Sequence, residues 1–163
     1  MLNHIQLREA MESDLPIFFE QQLDHAATQM AGFPSRTREA FMTHWKRIMA
    51  DDTILLKTIL FNGEIAGNVV CFTQLGEREV GYWLGKEYWG KGIATRALEE
   101  FLKLIETRPL YAHVAKHNIA SKRVLEKCGF TVVAEDRFFS EAFGKNIEEY
   151  ILILGTNQRA NPS

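Results

Sequence analysis

Apolar and polar residues alternate from His4 to Arg8, and a period of two predicts a first strand there. The period then lengthens. Leu15, Phe18, Phe19, Gln22, Leu23, Ala26 and Met30 fall on one face at helical spacing, with Ser13 or Asp14 as the cap and Pro16 in the first turn. Gly32-Phe33-Pro34-Ser35 ends that helix, and Phe41, Trp45, Ile48 and Met49 mark one face of a second. From Thr53 to Phe61 the chain is apolar and β-branched, Asn62-Gly63 is a hairpin turn, and Glu64 to Gln74 returns as a strand. A turn at Leu75-Gly76-Glu77 leads to a third strand, Glu79 to Leu84, so these three strands form an antiparallel meander.

Past Gly85 the helical period reappears. Ile93, Ala97, Leu98, Phe101, Leu102 and Ile105 form one apolar stripe that stops before Pro109. Leu110 to Val114 reads as a strand, and Asn118 to Cys128 as a short helix closed by Gly129. Thr131 to Glu135 and Ile147 to Leu154 read as the last strands, and residues 156–163 as a disordered polar tail. The expected order is strand, two helices, three strands, helix, strand, helix, two strands, in a single domain over residues 1–155.

Composition narrows the function classes. The chain of 163 residues is 46% hydrophobic and 25% charged, values of an ordinary globular domain. A formal net charge of −2 provides no broad basic surface, so nucleic acid is not the expected partner. No apolar run reaches the roughly 18 residues that span a bilayer, and Met1 to Ala10 lacks the apolar segment of a signal peptide. Cys71 and Cys128 stand far apart with no CxxC, which leaves neither a disulfide framework nor a metal site. The expected setting is cytoplasmic.

The chemistry concentrates around Tyr82-Trp83-Leu84-Gly85-Lys86-Glu87-Tyr88-Trp89-Gly90-Lys91-Gly92-Ile93-Ala94-Thr95. A glycine-rich turn between a strand and a helix presents free N–H groups at the helix start to an anion. Gly90 and Gly92 carry no side chain to block a pyrophosphate. Gly85-x-x-x-x-Gly90-Lys91 satisfies a phosphate-binding P-loop until its last position, where Gly92 replaces the hydroxyl that holds Mg²⁺. The dinucleotide fingerprint fails at Thr95. A plain strand-to-helix turn is the remaining local reading.

The same loop resembles that of the GNAT superfamily of N-acetyltransferases, whose acetyl-CoA motif is (Gln/Arg)-x-x-Gly-x-(Gly/Ala) opening a helix. Gly90-Lys91-Gly92 supplies its glycines, and Glu87 stands at the Gln/Arg position. The surrounding Gly81-Tyr82-Trp83-Leu84 and Glu87-Tyr88-Trp89 are similar to the branch that contains the ribosomal-protein N-terminal acetyltransferases. Downstream, Asn118-Ile119-Ala120-Ser121 and Glu126-Lys127-Cys128-Gly129-Phe130 resemble the superfamily's Asn-x-x-Ser…Glu-Lys-x-Gly-Phe segment.

That resemblance implies an α/β fold with a mostly antiparallel six- to seven-stranded sheet, splayed in the middle and flanked by about four helices. It implies acetyl-CoA as co-substrate, no metal, and an acceptor that is a small-molecule amine or a protein N-terminus, in a monomer or homodimer. Pantetheine is expected between the strands Glu79–Leu84 and Leu110–Val114, against the main chain of Tyr82, Trp83 and Leu84. Trp89, Gly90, Lys91, Gly92, Ile93, Ala94 and Thr95 are expected to hold the pyrophosphate, and Asn118 and Ser121 the pantetheine arm; Asn118 also reads as an N-cap. Lys122 and Arg123 are further candidates for the CoA phosphates.

Glu79 matches a catalytic glutamate of the family and is the expected base, with His113 as an alternative. The usual acid, a tyrosine, is replaced by Leu125, which leaves Ser121, Cys128, Tyr111, His113 or water. Phe33, Trp45 and Phe139 are candidates both for an acceptor pocket and for the core. Two further readings stay open: a catalytically silent acyl-CoA-binding module, and a P-loop nucleotide-binding protein.

Overall fold

The computed structural model describes residues 4–32 and 34–155. Phe33 and the expected tail, residues 156–163, lie outside the described residues. The first strand, β1 (Ile5–Glu9), is followed by a 3₁₀ turn and three helices, α1 (Leu15–Gln22), α2 (His25–Ala31) and α3 (Arg38–Ala50). The spacing predicts one helix where α1 and α2 stand. The chain breaks at Leu23-Asp24 because Asp24 adopts an extended backbone and its carboxylate caps the Ala27 N–H at 3.0 Å, starting a new helix. Gly32 then closes α2 in the left-handed conformation, φ +79°. The meander β2 (Leu55–Phe61), β3 (Glu64–Gln74) and β4 (Glu77–Leu84) forms with the expected antiparallel pairing.

A glycine-rich turn leads into α4 (Ile93–Leu102), and then come β5 (Leu110–Ala115), α5 (Ile119–Lys127), β6 (Thr131–Ser140) and β7 (Lys145–Leu154). The last two strands are longer than their apolar pattern indicates, because the hairpin they form carries polar residues outward along β6. The seven strands form one sheet in the order β1-β2-β3-β4-β5-β7-β6. Among the described residues, only the β4–β5 junction is parallel.

Alternation along β4 gives the sheet two unlike faces. Val80 and Leu84 enter the main core with Ile59, Val69 and Cys71, against Ile93, Ala97, Leu98 and Phe101 of α4. Those α4 positions recur at the helical period, so a single stripe meets the sheet. Full burial of a leucine or phenylalanine there stabilises the fold by about 1.5–3 kcal/mol. A second cluster, Leu15, Phe18, Phe19 and Phe41, joins α1 to α3. Trp45 packs within it, its ring 5.2 Å from Phe18 and 5.5 Å from Phe41, so it is a core residue.

Candidate active site

β4 and β5 share a single rung, Glu79 opposite Tyr111. Beyond it no strand among the described residues pairs with that edge of β4, while its other edge stays paired with β3 as far as Leu84. The sheet therefore opens as a V whose closed end is Glu79. One short device keeps the β3 side tight: a side chain at Gly67 would place its Cβ 2.0 Å from the Trp83 carbonyl oxygen. Only glycine lets the β3 backbone lie against that peptide.

The open end of the V is a cavity of about 460 Å³. Tyr82, Trp83 and Leu84 form one wall. The glycine loop and the start of α4 form the floor, through Trp89, Gly90, Gly92, Ile93, Ala94 and Thr95. Gly90 and Gly92 have φ of +75° and +76°, a region that disfavours any side chain, so backbone conformation as well as space calls for glycine here. Gly92 is the N-cap residue of α4 and offers no side-chain cap, which leaves the first N–H groups of the helix toward the cavity. The Trp89 indole N–H donates to the Leu84 carbonyl at 3.1 Å and ties the loop to the strand.

Asn118 and Ser121 form the facing wall, with Arg123 and Lys127 further along α5. Asn118 caps α5: its side-chain oxygen accepts the Ser121 N–H at 3.2 Å. The Tyr82 hydroxyl donates to the Ser121 Oγ at 2.9 Å. A serine hydroxyl that accepts from Tyr82 keeps its own proton for another partner in the cavity. Burial holds the Tyr82 phenol above its usual range, although the Ser121 contact pulls it down. Leu125 is 4% exposed and belongs to the core.

Several expected residues stand elsewhere. Lys91 is exposed and does not line the cavity. Lys122 lies 5.1 Å from the Tyr150 ring and 3.5 Å from Glu126. Cys128 donates to the Thr95 carbonyl, and burial pushes its thiol up to about 11, so it is not a thiolate near neutral pH. Phe139 is 61% exposed on β6. Ala27, Met30 and Ala31 of α2 line the cavity instead. Met30 belongs to the apolar stripe read in the sequence, but only the tertiary fold carries α2 over the V.

Glu79 and Ser121 are on opposite faces of the sheet and do not meet. Glu79 is 8% exposed, on the strand face of Trp83 but roughly 13 Å of strand away, outside the cavity wall. Its carboxylate lies 3.6 Å from His113 Nε2, and His113 Nδ1 lies 2.8 Å from Glu149 Oε1. Burial raises the Glu79 carboxyl above the usual range; His113 pulls it down, and Glu77 and Glu149 push it up. No group of three or more potential metal ligands occurs among the described residues. No helix among them is long and apolar enough to cross a membrane.

A family model described as an acetyltransferase (GNAT) domain matches residues 4–131. A Bacillus subtilis protein named "Putative ribosomal N-acetyltransferase YdaF" is 30% identical over 100 residues, covering 57% of this chain and 55% of that protein. The chain spans about half the length of the curated relatives it matches. Among solved structures, a GNAT-family acetyltransferase from Bacillus anthracis superposes with a TM-score of 0.80 at 17% identity, covering 97% of this chain and 98% of that one. An aminoglycoside acetyltransferase solved with paromomycin and acetyl-CoA superposes with a TM-score of 0.72 at 17% identity, covering 90% of this chain and 92% of that one. With the splayed seven-stranded sheet and the glycine loop at its opening, the match fixes the lineage: the chain belongs to the GNAT acetyltransferase family.

Proposed function

We propose that this protein is a cytoplasmic N-acetyltransferase that moves the acetyl group of acetyl-CoA to a primary amine by direct attack in a ternary complex. The observation that carries the reading is the open V. An unpaired stretch of β4, a cavity of about 460 Å³ and a helix start with left-handed glycines converge there. The residues fit an acyl-CoA: the N–H groups of the loop and α4 suit a pyrophosphate, Arg123 and Lys127 add positive charge, and Tyr82 to Leu84 offer a strand edge. When bound, acetyl-CoA supplies an activated thioester.

The chain's own groups divide the remaining work. A main-chain N–H of β4 at the gap stabilises the oxyanion, a contribution of about 3–4 kcal/mol in comparable sites. Glu79 takes the ammonium proton, through water where the carboxylate does not reach the amine itself. Freeing an α-amine of pKa about 7.9 at pH 7 costs roughly 1.2 kcal/mol, and a lysine-like amine of pKa about 10.4 roughly 4.6 kcal/mol. A base therefore matters most for the second class. Ser121, backed by Tyr82, donates toward the departing sulfur in place of the tyrosine that Leu125 replaces.

One relative is named a ribosomal N-acetyltransferase and one structural neighbour was solved with paromomycin, so the acceptor is best found by a panel. Peptides with free α-amines, amino acids, polyamines and aminoglycosides are incubated with acetyl-CoA and read by thiol release. Turnover with one class is the expected result. Acetyl-CoA is expected to raise Tm and ATP with Mg²⁺ is not. Binding of acetyl-CoA with no turnover on any amine would reduce the chain to an acyl-CoA-binding module. Stabilisation by ATP with Mg²⁺ alone would restore the P-loop reading.

A further inference from the structure

Glu79 sits at the closed end of the V with its side chain 10% exposed, so a proton it accepts has little direct access to water. The His113 imidazole beside it is 29% exposed. Glu149, 12% exposed, holds the far nitrogen of that ring at 2.8 Å. The three side chains come from three neighbouring strands, β4, β5 and β7, and share one sheet face. His113 lies two residues past Tyr111 on β5, and Glu149 lies two residues before Ile151, the β7 partner of His113. They thus form a line of a buried carboxylate, an imidazole that reaches solvent, and a second, mostly buried carboxylate on the far side of the ring.

We propose that His113 and Glu149 are positioning residues that set the basicity of Glu79 and carry the acceptor's proton out to solvent. The inference rests on the acetyl-transfer reading above and deepens it. An N–H bond of the ammonium breaks as an O–H bond forms on Glu79, with a bridging water relaying the proton where the carboxylate does not reach the amine. That O–H then breaks as an N–H forms on His113 Nε2, once a side-chain adjustment closes the 3.6 Å between them to hydrogen-bond length, and the imidazolium releases the proton to water. After the C–N bond forms, the C–S bond breaks as Ser121 gives its hydroxyl proton to the sulfur and takes the second amine proton in exchange, which leaves the serine neutral. The acceptor thus loses two protons, one to solvent and one to the thiol, and nothing is oxidised or reduced.

Glu149 has a defined part in this sequence. An Nδ1–H donated to its carboxylate leaves the Nε2 lone pair aimed at Glu79, the tautomer the transfer needs. Burial pulls the imidazole down, but the Glu149 hydrogen bond and the charges of Glu79, Glu149 and Glu77 outweigh it and raise its affinity for a proton. Glu79 and His113 then titrate as a pair, and the acidic limb of kcat/KM belongs to both.

The test compares kcat/KM against pH for the wild type, Glu149→Gln and His113→Gln, with the best amine of the panel. Glu149→Gln removes the charge that raises the imidazole. Its acidic limb is expected to move to lower pH and its kcat to fall on the order of tenfold, below the 10²–10⁴-fold loss of the proton acceptor itself. KM for acetyl-CoA stays unchanged. His113→Gln is expected to lose more kcat than Glu149→Gln. A folded Glu149→Gln with the wild-type limb, or a His113→Gln with wild-type kcat, overturns the proposal.

Should Glu149→Gln fail to fold, the imidazole of His113 is titrated by NMR in the wild type and in Glu79→Gln. Its midpoint is expected to fall in Glu79→Gln, and an unchanged midpoint overturns the coupling. A wild-type chain that releases no thiol with any amine overturns the acetyl-transfer reading and this proposal with it. Wild-type turnover with an unmoved limb overturns this proposal alone.

Discussion

Asp14 and Glu79 are both carboxylates withdrawn from water, 1% and 8% exposed, and the protein treats them in opposite ways. Asp14 has every partner a carboxylate needs. Arg8 donates to both of its oxygens at 2.8 and 2.9 Å, the Met11 N–H donates at 3.0 Å, and the Thr58 hydroxyl at 2.7 Å. Burial pushes its carboxyl up, and these donors outweigh it and hold it below the usual range. Among the described residues, Glu79 has only an ion-pair partner at 3.6 Å, beyond hydrogen-bond reach, and burial leaves it raised. A fully solvated-by-protein carboxylate locks β1 to the first helix and to β2. A buried carboxylate with spare capacity is poised to accept a proton. Burial alone does not separate the two roles; the donor set does.

The sharpest break of this comparison is Asp14→Ala. It strands the Arg8 guanidinium and the Thr58 hydroxyl, and loss of one partner of such a pair typically costs about 3–5 kcal/mol. Urea unfolding is expected to show a loss of that size, with acetyl-CoA affinity retained in the folded fraction. A cost under about 1 kcal/mol would place Asp14 with the ordinary surface pairs. The mirror experiment is Glu79→Gln, which keeps the shape and removes the basicity. Its stability is expected to stay within about 1 kcal/mol of the wild type, while kcat at pH 7 falls about 10²–10⁴-fold if proton transfer limits the rate. A near-normal kcat would return Glu79 to the structural class.

The smallest effect is in the pH dependence of stability, and its two signs are opposite. The Asp14 carboxyl is depressed, so its contribution is present above the unfolded value near 3.9 and is lost as pH falls through its lower folded value. The Glu79 carboxyl is raised, so its contribution is present below the unfolded value near 4.3 and is lost as pH rises through its folded value. Unfolding curves of each wild-type and Asn or Gln pair, taken across the acid range, are expected to diverge in opposite directions. Slopes of the same sign would erase the distinction.

The sequence by itself determined what is local. Alternation in His4–Arg8, the Asn62-Gly63 turn, the α4 stripe and the Asn118 cap each place their element, because each is a statement about neighbours within a turn or a pleat. The glycine loop was legible for the same reason, since Gly90 and Gly92 answer to their own φ angles. Even the break between α1 and α2 is carried by Asp24, although helical spacing across it conceals the stop.

Only the tertiary structure decided which elements became neighbours. Tyr82 meets Ser121 across 39 residues and His113 meets Glu149 across 36. β7 passes between β5 and β6, so the partner of the His113 ring comes from the end of the chain. Alternation names the face on which Glu79, His113 and Glu149 lie, but it cannot say which strands share a rung. Strand order is set by the total burial of the core and by the pairing of every main-chain group, and neither is a property of any one segment.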